Sequence, residues 1–288
     1  MPPSFRPHPT PAFFNSLTRS TMPTASLSPP SHIISYKIPP KPRSSLDSLR
    51  LLTTLTNFNK PHYLAPKNPL VFCHGLLGFD SVTIGPSLGV PSLQLQVAHW
   101  RGLKQVLSQT GADILITRVP ATSSPIDRAK VLLKQIEDTY PGKKVHLIGH
   151  SMGGLDCRYL TTHLKEQRSF QVLSVTTIAT PHRGSSFADH FLHDLVGKDR
   201  LPQVLFLLDL LPNGGGDGKA FEFLTRESMH NFNQQTPDME GVKYFSWGAV
   251  YDPGLIDTWK YPHSVILEQE GPNDGLVSVE SAKWVRSP

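Results

Sequence analysis

Cysteine is nearly absent: Cys73 and Cys157 are the only two in 288 residues. That excludes a disulfide framework and a zinc site built from several thiolates. Each lies inside a strongly patterned segment, so buried free thiols are the expected state, with a single bridge as the alternative. Long apolar runs are missing as well. No stretch reaches the roughly 18 residues needed to cross a bilayer, and the greasiest, residues 204–211, is interrupted by Asp209. Acidic side chains are missing from one place in particular. Residues 1–46 hold Arg6, Arg19, Lys37, Lys41 and Arg43 but no Asp or Glu, together with 11 of the 27 prolines. The net charge of +5 therefore resides in this leader, and residues 47–288 are neutral overall. A neutral body excludes a basic nucleic-acid-binding face.

The leader's Ser, Thr, Pro and spaced Arg fit a mitochondrial transit peptide, with residues 11–19 as its short amphipathic helix. Prolines at 2, 3, 7 and 9 break any helix before it. A disordered Pro/Ser-rich tail is the alternative. The leader lacks the continuous apolar core of a secretory signal.

Beyond residue 46 the pattern becomes that of a packed domain. Residues 45–58 read as a helix, and 69–73 as a buried strand that runs into His74-Gly75. Residues 92–110 have helical spacing and stop at Gly111; 112–119 read as a strand. A helix at 125–140, a strand at 144–148, a helix from the turn after Gly149 to about 167 and a strand at 172–178 follow. Strands alternating with helices imply βαβ units and a mostly parallel sheet flanked by helices.

The strand at 144–148 leads directly into Gly149-His150-Ser151-Met152-Gly153, a G-x-S-x-G pattern between strand and helix. In that setting the turn exposes the Ser151 hydroxyl as a nucleophile. A side chain at 149 or 153 would collide with the neighbouring strand or helix. The helix that starts at Ser151 aims its N-terminal dipole at the charge developing during attack. Backbone donors for a tetrahedral oxyanion are expected from Met152 and, in the loop after the first strand, from Leu76 of His74-Gly75-Leu76-Leu77-Gly78.

Together with Ala179-Thr180-Pro181-His182-Arg183-Gly184-Ser185 and Gly271-Pro272-Asn273-Asp274-Gly275-Leu276-Val277-Ser278, these motifs resemble the fungal triacylglycerol lipases related to bacterial true lipases. The resemblance covers residues 69–284 with all four motifs in family order. It implies an α/β-hydrolase fold over residues 47–288 and carboxylic ester hydrolysis by a serine nucleophile. It also implies that Asp274 is the acid that orients a histidine base, and the residues agree in placing it on a loop after a strand near residues 265–268. Read alone, Asn273-Asp274-Gly275 is equally a good turn sequence. The resemblance makes the His182 segment structural, a loop-packing element. Its fungal branch includes a mitochondrial member.

One part of the triad has no counterpart. Hydrolases of this fold carry nucleophile, acid and histidine in that order, yet the thirteen histidines end at His263 and none follows Asp274. Three accounts are open: a C-terminal segment lost from a truncated domain, a non-catalytic lipid-binding relative, or His263 substituting with Asp252 or Asp257 as its acid. Truncation is the expectation, and with it little or no ester hydrolysis by this polypeptide. The bacterial relatives' calcium ligand would lie beyond the missing base, so these residues imply no metal and no cofactor.

Residues 186–240 form an insertion. Phe187, Phe191, Leu192, Leu195 and Val196 recur at helical spacing, residues 201–211 read as a second apolar helix, and glycines at 213–218 form a hinge. This is either a lid that opens at a lipid interface or a fixed helical cap. The expected substrate is an acylglycerol or another lipid ester. A phospholipase or an acyltransferase on the same scaffold is the alternative, and the expected location is mitochondrial, with cytoplasm or lipid droplet as alternatives.

Overall fold

A computed structural model describes residues 64–76, 78, 81–84, 95–98, 100, 102–196, 218–254, 257 and 259–284. They belong to one compact unit, Lys37–Pro288. The leader, the expected helix at 45–58, the apolar helix at 201–211 and most of the glycine hinge lie outside the described residues.

Five parallel strands form the main sheet in the order β4-β1-β5-β6-β7. They are β1 (Leu70–Cys73), β4 (Ile114–Ile116), β5 (Lys144–His150), β6 (Gln171–Ile178) and β7 (Lys243–Trp247). A separate antiparallel pair joins β2 (Ser81–Ile84) to β3 (Leu95–Ala98). Alternation along β1 and β5 explains why the sheet is covered on both sides. Val71, Cys73, Val145 and Leu147 enter one apolar cluster, whereas Leu70 and Phe72 enter another with Trp100.

The first cluster is closed by two helices. In α2 (Pro125–Thr139), Ser124 caps the start by accepting from the Asp127 N–H, and Pro125 occupies the first turn, where no N–H is needed. Its buried stripe Ala129, Leu132 and Ile136 packs against the sheet and against α3 (Met152–His163), which contributes Cys157 and Leu160. Cys73 and Cys157 are free thiols within this core, with their Sγ atoms 3.4 Å apart.

Three sequence expectations are corrected. Residues 92–110 are not one helix: β3 occupies Leu95–Ala98, and α1 (Leu103–Gln109) starts only after Gly102, whose φ is +81°. The Leu95-Gln96-Val97 alternation outweighs the longer helical spacing. The strand placed near residues 265–268 is part of a helix, α7 (Lys260–Glu270). A short apolar run does not separate strand from buried helix; here Pro262, His263 and Ile266 are buried while Leu267 is half exposed, the spacing of one helix face. The strand at 112–119 shrinks to Ile114–Ile116. No strand was expected at Lys243–Trp247, yet its aromatic residues support β7 beside β6.

The insertion begins with α4 (Ser186–His190), which passes into a π-helical turn at Phe191–Val196. It continues through α5 (Lys219–Phe223) and α6 (Arg226–Gln235) before β7. A last short helix, α8 (Val279–Ala282), follows the Asp274 turn. Among the described residues, no helix is long and apolar enough to cross a membrane.

Leu132 is fully buried between α2 and the sheet. Leu132→Ala is expected to cost about 2–5 kcal/mol, read as a lowered thermal midpoint. An unchanged midpoint would contradict the packing described.

Candidate active site

Parallel strands bring their C-terminal ends to one edge of a sheet, where loops meet. At this edge β5 ends in His150, and Ser151 turns the chain into α3. Ser151 has φ 52° and ψ −127°, one of only two non-glycine residues with positive φ among those described. Such a conformation costs on the order of 1–3 kcal/mol and survives only when its surroundings hold it. They do so here. The Ser151 N–H donates to Ile178 O at 2.8 Å, and Thr180 Oγ donates to Ser151 O at 2.7 Å. The helix itself starts at Met152, with Ser151 as its N-cap, one residue later than the sequence expectation.

The glycines around Ser151 permit close packing. A Cβ on Gly149 would lie 2.5 Å from Gly153 O and from the Gly154 backbone, and one on Gly153 would strike the carbonyl oxygens of Cys73 and His74. A Cβ on Gly75 would lie 2.8 Å from Ser151 Cβ and 3.2 Å from its Oγ. The loop after β1 therefore lies directly against Ser151. This juxtaposition unites Ser151, Leu76 and Met152, three of the residues singled out from sequence.

Two backbone donors are open there. The Met152 N–H is the first of α3, a position without an intrahelical acceptor. The Leu76 N–H has no acceptor among the described residues. Its direction follows from the preceding carbonyl. Gly75 O accepts from His74 Nδ1 at 3.0 Å and from the Gly78 N–H at 3.2 Å. In a planar trans peptide the N–H points opposite to the C=O, so Leu76 N–H is turned out of the loop. His74 Nε2 accepts from the Val119 N–H at 3.2 Å, which fixes the tautomer with hydrogen on Nδ1.

Sequence reasoning missed what lies behind this loop. Arg128 and Asp156 are fully buried and paired at 2.9 Å. Arg128 also donates through Nη2 to His74 O at 2.6 Å and through Nη1 to Pro120 O at 3.0 Å. Burial pushes the Asp156 carboxyl up to about 6, against the pull of the guanidinium. A signal existed: Arg128 is a charged residue inside the apolar stripe of α2.

Asp274 sits after α7, in the turn Asn273-Asp274-Gly275. Its Oδ1 accepts from the N–H groups of Leu276 at 3.0 Å and Val277 at 2.8 Å. Among the described residues, Oδ2 takes no hydrogen bond. Burial raises the carboxyl above its ordinary value, and these backbone donors partly offset the rise. The turn is tied to the same edge of the sheet: Tyr251 N–H, beyond β7, donates to Asn273 O at 3.0 Å, and Ser185 Oγ donates to Leu276 O at 2.9 Å. No hydrogen bond joins Asp274 to Ser151.

Two histidines considered from sequence are packed by their surroundings. His182 is fully buried; its Nδ1 accepts from Arg158 at 3.2 Å, its Nε2 meets Thr177 Oγ at 2.9 Å, and its ring lies against Trp284. This is the loop-packing arrangement expected of it. His263 is buried in α7 and stacks edge-on against Tyr251. It pairs with neither Asp252 nor Asp257, so that substitution finds no support.

The alpha/beta hydrolase fold family matches residues 68–216. The chain is 35% identical over 259 residues to triacylglycerol lipase 2 of Saccharomyces cerevisiae, covering 77% of this chain and 76% of that protein. It is 30% identical over 246 residues to a triacylglycerol lipase of Vibrio cholerae, covering 75% and 74%. Among solved structures, the mature form of a Bacillus licheniformis lipase matches with a TM-score of 0.57 at 25% identity, covering 78% of this chain and 83% of that one.

Two outcomes are expected. Gly153→Ala forces a methyl group into the carbonyls ending β1 and should cost at least about 1–3 kcal/mol, seen as a lower thermal midpoint; wild-type stability would refute the close approach. His182 resists protonation well below 6.5 because of burial and then the Arg158 and Arg183 charges. The unfolded chain protonates it near 6.5, so its contribution is present above that pH and lost below it. The midpoint difference between wild type and His182→Gln should be largest at pH 8 and shrink toward pH 5. A difference independent of pH would count against a neutral buried ring.

Proposed function

This chain belongs to the lipases of the α/β-hydrolase fold, and from that premise we propose that its site cleaves acylglycerol esters with Ser151 as nucleophile. The observation that carries the proposal is the pairing of a serine held at positive φ with two backbone N–H groups, those of Leu76 and Met152, that have no acceptor among the described residues. Ser151 Oγ attacks the ester carbonyl carbon, and the resulting oxyanion lies between these donors. Collapse expels the alcohol and leaves an acyl-serine, which water then hydrolyses. Asp274 takes the acid's role: Oδ1 is anchored by backbone donors, which leaves Oδ2 to receive an imidazole N–H.

Among these 288 residues no histidine follows Asp274, so the test of the nucleophile supplies a free imidazole.

The insertion at 186–240 takes the part of a lid. Phe187, Phe191 and Phe221 approach one another, and Phe187 meets Tyr261 of α7, which gives the segment an apolar face beside the Asp274 turn. A neutral body and a basic, acid-free leader support an uncharged lipid substrate and delivery to mitochondria. The domain boundary at residue 46 belongs to the same reading.

The test is hydrolysis of p-nitrophenyl butyrate with and without added imidazole, with Ser151→Ala as reference for the solution reaction. With imidazole present, a rate well above the Ser151→Ala background is expected. No difference from Ser151→Ala with or without imidazole would refute the nucleophile. Product analysis with triacylglycerol and phospholipid separates lipase from phospholipase.

A further inference from the structure

We propose that Asp156 is a positioning residue for the ester-cleaving site, acting through Arg128 to fix the backbone from His74 to Leu76 and so the direction of the Leu76 N–H. The inference rests on reading that N–H as an oxyanion donor, but it concerns a carboxylate that touches neither Ser151 nor any substrate.

Asp156 stands on α3 five residues after Ser151 and is turned toward α2. Its two oxygens accept from Arg128 Nε at 3.1 and 2.9 Å, and Nη2 lies 2.9 Å from Oδ2 as an ion-pair contact. A guanidinium is a rigid plane with five N–H bonds at fixed angles. Once Asp156 takes the Nε–Nη2 edge, the remaining directions are set. Nη2 donates to His74 O at 2.6 Å, and Nη1 donates to Pro120 O at 3.0 Å and Ala121 O at 3.4 Å. Rotating the plane to release His74 would break the Nε hydrogen bonds to Asp156.

The constraint passes along the loop. Arg128 fixes the His74 carbonyl, Gly153 packs against that same oxygen, and the His74 ring with the Gly78 N–H fixes the next carbonyl, Gly75 O. Two successive peptide planes are thereby oriented, and the N–H of the second is that of Leu76. A pair that only bound α2 to α3 would need no donor aimed at His74 O. An apolar pair of similar volume would serve such a purpose equally well.

The experiment measures the affinity of an alkyl trifluoromethyl ketone by fluorine NMR. Ser151 Oγ adds to the ketone carbon as the serine proton passes to buffer, and the resulting alkoxide occupies the oxyanion position, so affinity reports the donors without requiring turnover. Asp156→Asn is expected to weaken binding about 10- to 100-fold, less than complete loss of a donor, which costs about 10²–10³. Arg128→Lys keeps the charge but not the fork and is expected to weaken it likewise. The double variant Arg128→Met with Asp156→Leu removes both buried charges. It should match or exceed wild-type thermal stability yet still bind weakly, a combination that a purely structural role does not produce. Wild-type affinity in any folded one of these variants overturns the proposal. Failure of wild type to bind the ketone, or equal binding by Ser151→Ala, would instead overturn the nucleophile and oxyanion reading on which it rests.

Discussion

The closeness of α3 to the end of β1 is the constraint on which the other features depend. Gly153 lies so near the Cys73 and His74 carbonyls that no side chain fits between them. Only at that separation does Gly75 reach Ser151, and only then do an N–H from one loop and an N–H from one helix share a small volume. The positive φ of Ser151 is part of the same geometry, because a regular strand end would carry the hydroxyl away. Ile178 and Thr180, from the adjacent strand and loop, hold the strained residue from the other side.

Close packing of carbonyls around a helix start concentrates partial negative charge, and a buried cation answers it. Arg128 neutralises the carbonyls of His74 and Pro120 while Asp156 neutralises Arg128. Desolvation makes such a group expensive: removing one partner of a buried pair typically costs about 3–5 kcal/mol. The raised Asp156 carboxyl shows the same tension, since burial outweighs even a forked guanidinium.

The fold was largely legible in the sequence because its signals are local. Helix α2 announces itself by Ser124, Pro125 and a regular apolar stripe, and β5 and β6 by apolar runs bounded by turns. The strained turn at Ser151 was legible for the same reason: it is five consecutive residues. The loop that carries Leu76 followed from a second short motif. Asp274 was singled out only through the family resemblance, because Asn-Asp-Gly alone describes any turn. What remained hidden depends on pairs distant in sequence. Arg128 and Asp156 are 28 residues apart, and Arg128 reaches His74 across 54. No period or motif announces such a meeting; only the stacking of α2 on α3 above β1 produces it. The helix taken for a strand at residues 265–268 failed differently, since a run of Val, Ile and Leu suits either element until a partner strand is present or absent.

The paired thiols beneath the elbow give the molecule an internal clock. Cys73 ends β1 and Cys157 lies on α3, so the two sulfurs mark opposite sides of the very seam that holds Gly75 against Ser151. Both are fully buried, and burial raises the Cys157 thiol well above its ordinary range, so neither reacts from the closed state. A thiol reagent can reach them only when strand and helix part. Its slow, reagent-independent labelling rate would then be the frequency with which Ser151 and the loop after β1 come apart and reassemble.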